Sequence, residues 1–243
     1  MPTAGVTWAL GALIVTGASF VMGLAGFGIA LVSLAFLPYV MSPVDAIVLM
    51  TLYAAVFALA IFVPVRRDFT AVRVGDLVLG TVAGTPLGVW VLASVSGGVL
   101  NRLIGGMLVV AVLLEWRGLF PERLEGRRWG LGAGILAGVI GGAVGTPGPP
   151  VVLYATTQGW SPRAIKANLQ AFFVVNQAVI LAGYWWAGLL TREVWRLAAV
   201  YAVPALVGVG AGMALFDRID PVGFRRVVFA LIFVSGAVLL VRG

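Results

Sequence analysis

Two short stretches of this 243-residue chain hold residue types that leave an α-helix and can cradle an anion. They are Gly23-Leu24-Ala25-Gly26-Phe27-Gly28 and Gly142-Ala143-Val144-Gly145-Thr146-Pro147-Gly148-Pro149-Pro150. Glycine and proline at this density interrupt a helix. A helix that restarts after the interruption has unpaired N-terminal amides and a partial positive charge, which together suit an anion. The plainer reading is that the glycines let helices pack closely. Packing alone does not account for Pro147, Pro149 and Pro150 among the glycines.

Lys166, Asn168, Gln170, Asn176 and Gln177 form a second polar set, on a segment that otherwise reads as an apolar helix. Polar groups at such depth face a cavity or another helix. Asn168, Gln170 and Asn176 could donate hydrogen bonds to anionic oxygens. Positions 168 and 170 are about 200° apart on a helix wheel, whereas 168 and 176 are about 80° apart. Asn168 and Asn176 are therefore preferred, with interhelical hydrogen bonding as the equal alternative. At the matching place in the first half of the chain, Thr51 and Tyr53 are the available hydroxyls. The expected substrate-binding set is Gly23, Gly26, Phe27, Gly28, Thr51, Tyr53, Gly142, Gly145, Thr146, Pro147, Gly148, Asn168 and Asn176.

Other chemistries find little support. There is no Cys and no His, so zinc, copper, haem and iron–sulfur sites lack their usual ligands; no metal and no cofactor are expected. The acids fall near the ends of apolar runs, which makes an intramembrane enzyme a distant reading and leaves no catalytic residue to name. Ser42-Pro43-Val44-Asp45 reads as a capping box with proline at the first helical position. Asp76 reads as a carboxylate near the start of its helix. Lys166 could approach an anion, though orientation in the membrane is its simpler role. No nucleotide-binding P-loop is present, so transport, if any, would draw on a gradient.

The elements that must position these residues are set by composition. The chain is 61% hydrophobic and 10% charged, against roughly 25% charge in soluble proteins. With a mean hydropathy of +1.09, its solvent is a bilayer, which excludes ordinary soluble enzymes and nucleic-acid-binding domains. The net charge of +7 sits in short gaps between apolar runs and reads as topology rather than a nucleic-acid footprint. Apolar runs lie near 7–40, 44–64, 74–95, 99–115, 129–159, 162–186, 193–215 and 222–241. The start, Met1-Pro2-Thr3-Ala4, lacks the basic patch of a secretory signal, so the first run is expected to belong to the mature protein. A single helix over 7–40 would be about 50 Å long, against a hydrocarbon core of about 30 Å. Both long runs, 7–40 and 129–159, are the ones carrying the glycine-rich stretches. Gly23, Gly26 and Gly28 in the first, and Gly141, Gly142, Gly145, Pro147, Gly148, Pro149 and Pro150 in the second, are expected to be helix breaks.

The two runs also correspond in an internal repeat. Shifting the sequence by 119 places Gly23 on Gly142, Gly26 on Gly145, and Ser42-Pro43 on Ser161-Pro162; a shift of 124 places Gly84 on Gly208, Gly88 on Gly212 and Arg102 on Arg226. The layout expected is a first repeat over 1–118, a cytoplasmic linker over 119–128 and a second repeat over 129–243. If all eight runs crossed once, at most ten of the sixteen basic residues would be cytoplasmic. If both long runs are hairpins, only Arg102, Arg192, Arg196 and Arg242 fall outside, a split of twelve to four that obeys the positive-inside rule better. The fold class expected is then an all-α polytopic membrane protein of two inverted repeats, each a broken helical hairpin followed by three transmembrane helices, with both termini outside. The hairpin tips would approach from opposite faces and meet near the midplane. Seven of the tryptophans, Trp8, Trp116, Trp129, Trp160, Trp185, Trp186 and Trp195, lie at run ends as headgroup anchors. Trp90 falls inside a run and reads as lipid-facing or packing. Gly84-x-x-x-Gly88 and Gly208-x-x-x-Gly212 read as close helix contacts.

The paired glycine-rich breaks, the Ser-Pro that follows each and the duplicated four-run layout resemble the sulfite exporter TauE/SafE family of membrane permeases, over nearly the whole chain. The resemblance implies a multi-pass permease of a prokaryotic plasma membrane that moves sulfur-containing anions or organic sulfonates, with both hairpin tips forming the site. Expected partners are a small-molecule anion and membrane lipid, with no nucleic acid and with homo-oligomer formation left open. Helix N-termini at the breaks are expected to supply most of the attraction for the anion. Two rivals remain: an anion channel, and a structural or assembly membrane protein whose glycines only pack helices.

Overall fold

A computed structural model describes residues 4–117, 124, 126–215 and 232–241. Arg123, Arg218, Arg225, Arg226 and Arg242, the acids Glu122, Glu125, Asp217 and Asp220, most of the 119–128 linker and the first part of the 222–241 run lie outside the described residues, as do the side chains of Arg73, Glu115, Trp116 and Arg117. The described residues form helices and turns without a strand. The helices are α1 (Ala4–Ala25), α2 (Ile29–Ser33), α3 (Pro43–Val65), α4 (Ala71–Ser94), α5 (Gly97–Arg117), α6 (Arg127–Val144), α7 (Gly148–Thr156), α8 (Pro162–Trp186), α9 (Arg192–Val200), α10 (Ala202–Leu215) and α11 (Ile232–Val241). Four described segments are long and apolar enough to cross a bilayer, Val6–Ala25, Pro43–Asp68, Val74–Ser94 and Arg163–Trp186, and α9–α10 makes a fifth if the bent pair is one span.

Local chemistry sets the helix starts. The Ser42 hydroxyl accepts the Asp45 N–H at 3.1 Å, so Ser42 caps α3 as expected, while the Asp45 carboxylate accepts the Ser42 hydroxyl at 2.7 Å in place of the backbone N–H of a full capping box. Ser161 caps α8 in the same way, accepting the Ala164 N–H at 3.3 Å with Pro162 at the first helical position. The run 193–215 is not one straight helix: α9 and α10 bend by 53° at Tyr201. Pro204 is the cause, because its ring crowds the Val200 carbonyl and it has no N–H to offer it.

The chain forms two compact units, and neither coincides with a sequence half. One comprises Met1–Tyr53, Val95–Gly118 and Thr191–Gly243, the other Ala54–Ser94 and Leu119–Leu190. In the first unit α1 packs on α10 in the same direction. Thr16 meets Gly208 and Phe20 meets Gly212, while Gly23 faces Val209 and Met213. Also in this unit α5 packs on α11, with Gly105 against Gly236 and Leu240 and with Leu108 beside Gly236.

In the second unit α4 and α6 run parallel, with Leu77 beside Gly134, Thr81 beside Gly138 and Thr85 beside Gly142. Helix α8 runs the same way along α4, because Thr70, Thr81 and Val89 meet Asn168, Asn176 and Gly183 in that order. Between α6 and α8 the chain folds back. A Cβ on Gly130, near the start of α6, would lie 3.2 Å from the Tyr154 hydroxyl of α7, and Gln158 donates to the Leu124 carbonyl at 2.7 Å.

The helix contacts of the two units match under the repeat shifts. Gly23 faces the Val209 carbonyl and the Met213 N–H; Gly142 faces the Thr85 carbonyl and the Val89 N–H. Adding 119 to 23 gives 142, and adding 124 to 85 and 89 gives 209 and 213. Gly212 against Phe20 and Leu24 matches Gly88 against Val139 and Ala143 by the same arithmetic. Each α1–α10 contact thus has an α6–α4 counterpart. These contacts correct part of the sequence reading: Gly23, Gly141 and Gly142 are helical, and a Cβ at any of them would meet a neighbour, so they pack rather than break. Pro149 and Pro150 likewise lie within the first turn of α7. The breaks themselves are narrower, Gly26 to Gly28 and Gly145 to Pro147.

Candidate functional site

Helix α6 ends at Val144. Gly145 adopts φ +69° and returns its N–H to the Gly141 carbonyl at 2.8 Å, the left-handed cap that only glycine makes without strain. Thr146 and Pro147 follow, and α7 begins at Gly148; residues 141–148 are all buried. Carbonyls at a helix C-terminus need partners when no water reaches them. Tyr184 supplies one: its hydroxyl lies 2.9 Å from the Gly142 carbonyl and 3.3 Å from that of Gly141, so it can donate to either. Ile180, one turn earlier on α8, fills the space beside Gly141.

The amide side of the break departs from expectation. Of residues 147–151, Pro147, Pro149 and Pro150 have no N–H, which leaves Gly148 and Val151 as backbone donors at the start of α7. Proline here removes orphan donors rather than presenting them. Helix α7 has only nine residues, and α2 five, so neither half-helix is a strong amide cradle.

Side-chain amides take a larger share. Asn168, Gln170, Asn176 and Gln177 are buried on α8, as are Thr81 and Thr85 on α4 and Thr146 at the break. The Thr70 N–H donates to Oδ1 of Asn168 at 2.9 Å. A backbone N–H can only donate, so this bond fixes the amide's orientation and leaves Nδ2 as the other end. That Nδ2 is buried with no partner among the described residues. Thr81 donates to Oδ1 of Asn176 at 2.5 Å, and Nδ2 of Asn176 is likewise buried without a partner among the described residues. The two asparagines thus make the interhelical bonds weighed as the alternative role, and each keeps a spare donor. They are about 12 Å apart along α8, too far to hold one small anion together. Asn176, one turn from Ile180, lies nearer the break.

In the first unit, Gly26 is buried at φ +82° and Gly28 is half-buried at φ +95°, with Phe27 half-buried between them. The chain turns back there, bringing Gly28 within 3.8 Å of Val21 if a Cβ is placed on it. Thr51 is buried and returns its hydroxyl to the Ile47 carbonyl at 2.9 Å. The Tyr53 hydroxyl donates to the Ala198 carbonyl at 2.7 Å. The Thr51 bond stays within α3, and the Tyr53 bond ties α3 to α9.

The polar cluster lies within the second unit, and the two sequence shifts match four of its members to apolar residues. The counterparts of Thr81, Thr85, Asn168 and Asn176 are Ala205, Val209, Leu49 and Phe57, all buried. Sequence reasoning missed Thr81, Thr85 and Tyr184. Two aligned threonines on one face of α4, four residues apart, were the available signal. Asp76 is not simply a helix-start carboxylate: it pairs with Nε of Arg127 at 3.1 Å, tying α4 to α6.

Among curated proteins and among solved structures, no match to this chain was found. A family model does match, that of the sulfite exporter TauE/SafE, along residues 10–239. The match takes in both breaks, the α4–α8 amide cluster and every described helix apart from a few terminal residues, and on that coverage the chain belongs to the sulfite exporter TauE/SafE family.

Proposed function

We propose that this protein is a secondary membrane transporter, not an enzyme, that moves small sulfur-containing anions such as sulfite or organic sulfonates across a prokaryotic plasma membrane. The family match over residues 10–239 carries the transport reading. The location rests on the buried break at Gly145–Pro147, beside α8 amides with unpartnered donors. An anion passing there meets neutral groups: the Nδ2 donor of Asn176, which Thr81 orients through its own O–H, and the Thr146 side chain at the break. Such groups bind an oxyanion without holding it as tightly as a buried lysine would. The glycine-rich break of the first unit, with Gly26 and Gly28 at positive φ, is a candidate binding element in its own right.

We also propose the inverted-repeat topology with both termini outside. Eight plain crossings, or a hairpin in the first half alone, would make α4 and α8 antiparallel, and they are parallel. A hairpin in the second half alone would make α1 and α10 antiparallel, and they are parallel. Two hairpins account for both pairs, and the matched glycine contacts favour the repeat.

Proteoliposomes carrying purified protein test the function. Uptake of sulfite, sulfate and small sulfonates is compared with that of chloride, for the native chain and for Gly145→Ala and Thr146→Val. The reading expects sulfite or sulfonate flux above empty liposomes and a loss of roughly tenfold or more in each variant. Native flux with unchanged rates in both variants would move the site elsewhere.

A further inference from the structure

We propose that the second unit holds an anionic phospholipid, with one acyl chain in an apolar groove between α4 and α8 and the headgroup on the arginines of the α3–α4 turn. The groove has a volume of about 310 Å³ and is walled by Phe62, Phe69, Val74, Val78, Ala171 and Val174. Gly75 lines it, and a Cβ there would meet nothing within 4 Å, so a larger side chain at this position has room to enter the groove. Phe62 and Phe69 frame one end edge to face, with ring centroids 5.8 Å apart.

The three residues Arg66–Asp68 lie in a short 3-10 turn between those two phenylalanines, and the turn packs against α8. Arg66 and Arg67 are exposed, and neither makes an ion pair among the described residues. Arg163, at the start of α8, is exposed too. Three arginines against Asp68 leave an excess of two positive charges at this end, before Lys166 is counted. An apolar slot beside a basic turn at the end of membrane-spanning helices matches a lipid tail and its anionic headgroup. The proposal does not depend on which solute is transported.

Native mass spectrometry of the detergent-exchanged protein tests it, after incubation with phosphatidylglycerol and phosphatidylcholine of equal chain length. The native chain is expected to retain phosphatidylglycerol over phosphatidylcholine by roughly fivefold or more. Arg66→Gln with Arg67→Gln should equalise the two lipids. Gly75→Leu should lower retention of both. Val175→Trp, which fills the groove from the α8 side, should do the same and serves if Gly75→Leu fails to fold. Equal retention of both lipids by the native chain, or undiminished retention in a folded groove-filling variant, would overturn the proposal. So would a lipid-free dimer, because a second copy would then cover the groove.

Discussion

Tyr184 donates its hydroxyl to the carbonyl oxygen of Gly142 at 2.9 Å, joining the end of α8 to the end of α6 just before the break. This bond explains how an interrupted helix survives away from water, since it satisfies a carbonyl that the helix can no longer pair. Tyr184→Phe keeps the ring and removes the donor. The expected cost is about 1–3 kcal/mol, seen as a lower unfolding midpoint in detergent, with transport reduced in step. An unchanged midpoint would mean that the carbonyl finds another partner.

Close packing of α4 on α6 rests on glycines that cannot be enlarged. A Cβ on Gly88 would strike the Val139 carbonyl, while one on Gly132 would meet nothing within 4 Å. Gly88→Ala should therefore destabilise by about 1–3 kcal/mol, and Gly132→Ala should be neutral or slightly stabilising. Thermal unfolding of the two variants side by side separates contact from composition.

The spare donors on α8 make an electrostatic prediction. Asn176→Asp places a carboxylate where an anion is to pass and should cut sulfite flux by roughly tenfold or more. Asn176→Leu, which removes the donor without adding charge, should raise the half-saturating concentration more than it lowers the maximal rate. Asn168→Asp should act in the same sense. If both Asp variants transport normally, the α8 amides only pack helices.

The absence of cysteine in the sequence makes topology directly measurable. A cysteine replacing Arg67 should react with an impermeant thiol reagent only from the cytoplasmic side, and one replacing Gly188 only from outside. Labelling of both from the same side would refute the two-hairpin scheme.

Much of this arrangement was legible in the sequence because apolar length and charge placement report directly on the bilayer. The Ser42 cap, the close contacts at Gly84, Gly88, Gly208 and Gly212, and the exposure of Trp90, at 63%, agree with that reading. The breaks were read too broadly. Gly23 and Gly142 look like Gly26 and Gly145 in sequence, and only the backbone tells them apart: the first pair is helical, and the second lies at positive φ. Glycine serves close approach and left-handed turns equally well, so its position alone cannot separate the two. The bend at Tyr201 has its signal in Pro204, which lies inside the apolar run 193–215 and which apolar length alone does not register. The pairing of Thr81 with Asn176 lies beyond sequence periodicity altogether, since it depends on which face of α4 meets α8.

The concentration dependence of sulfite flux through the reconstituted protein tests the central claim most directly. A transporter predicts flux that saturates and that falls when a competing sulfonate is added. Flux that rises in proportion to concentration without saturating, or no flux above that of empty liposomes, would contradict it.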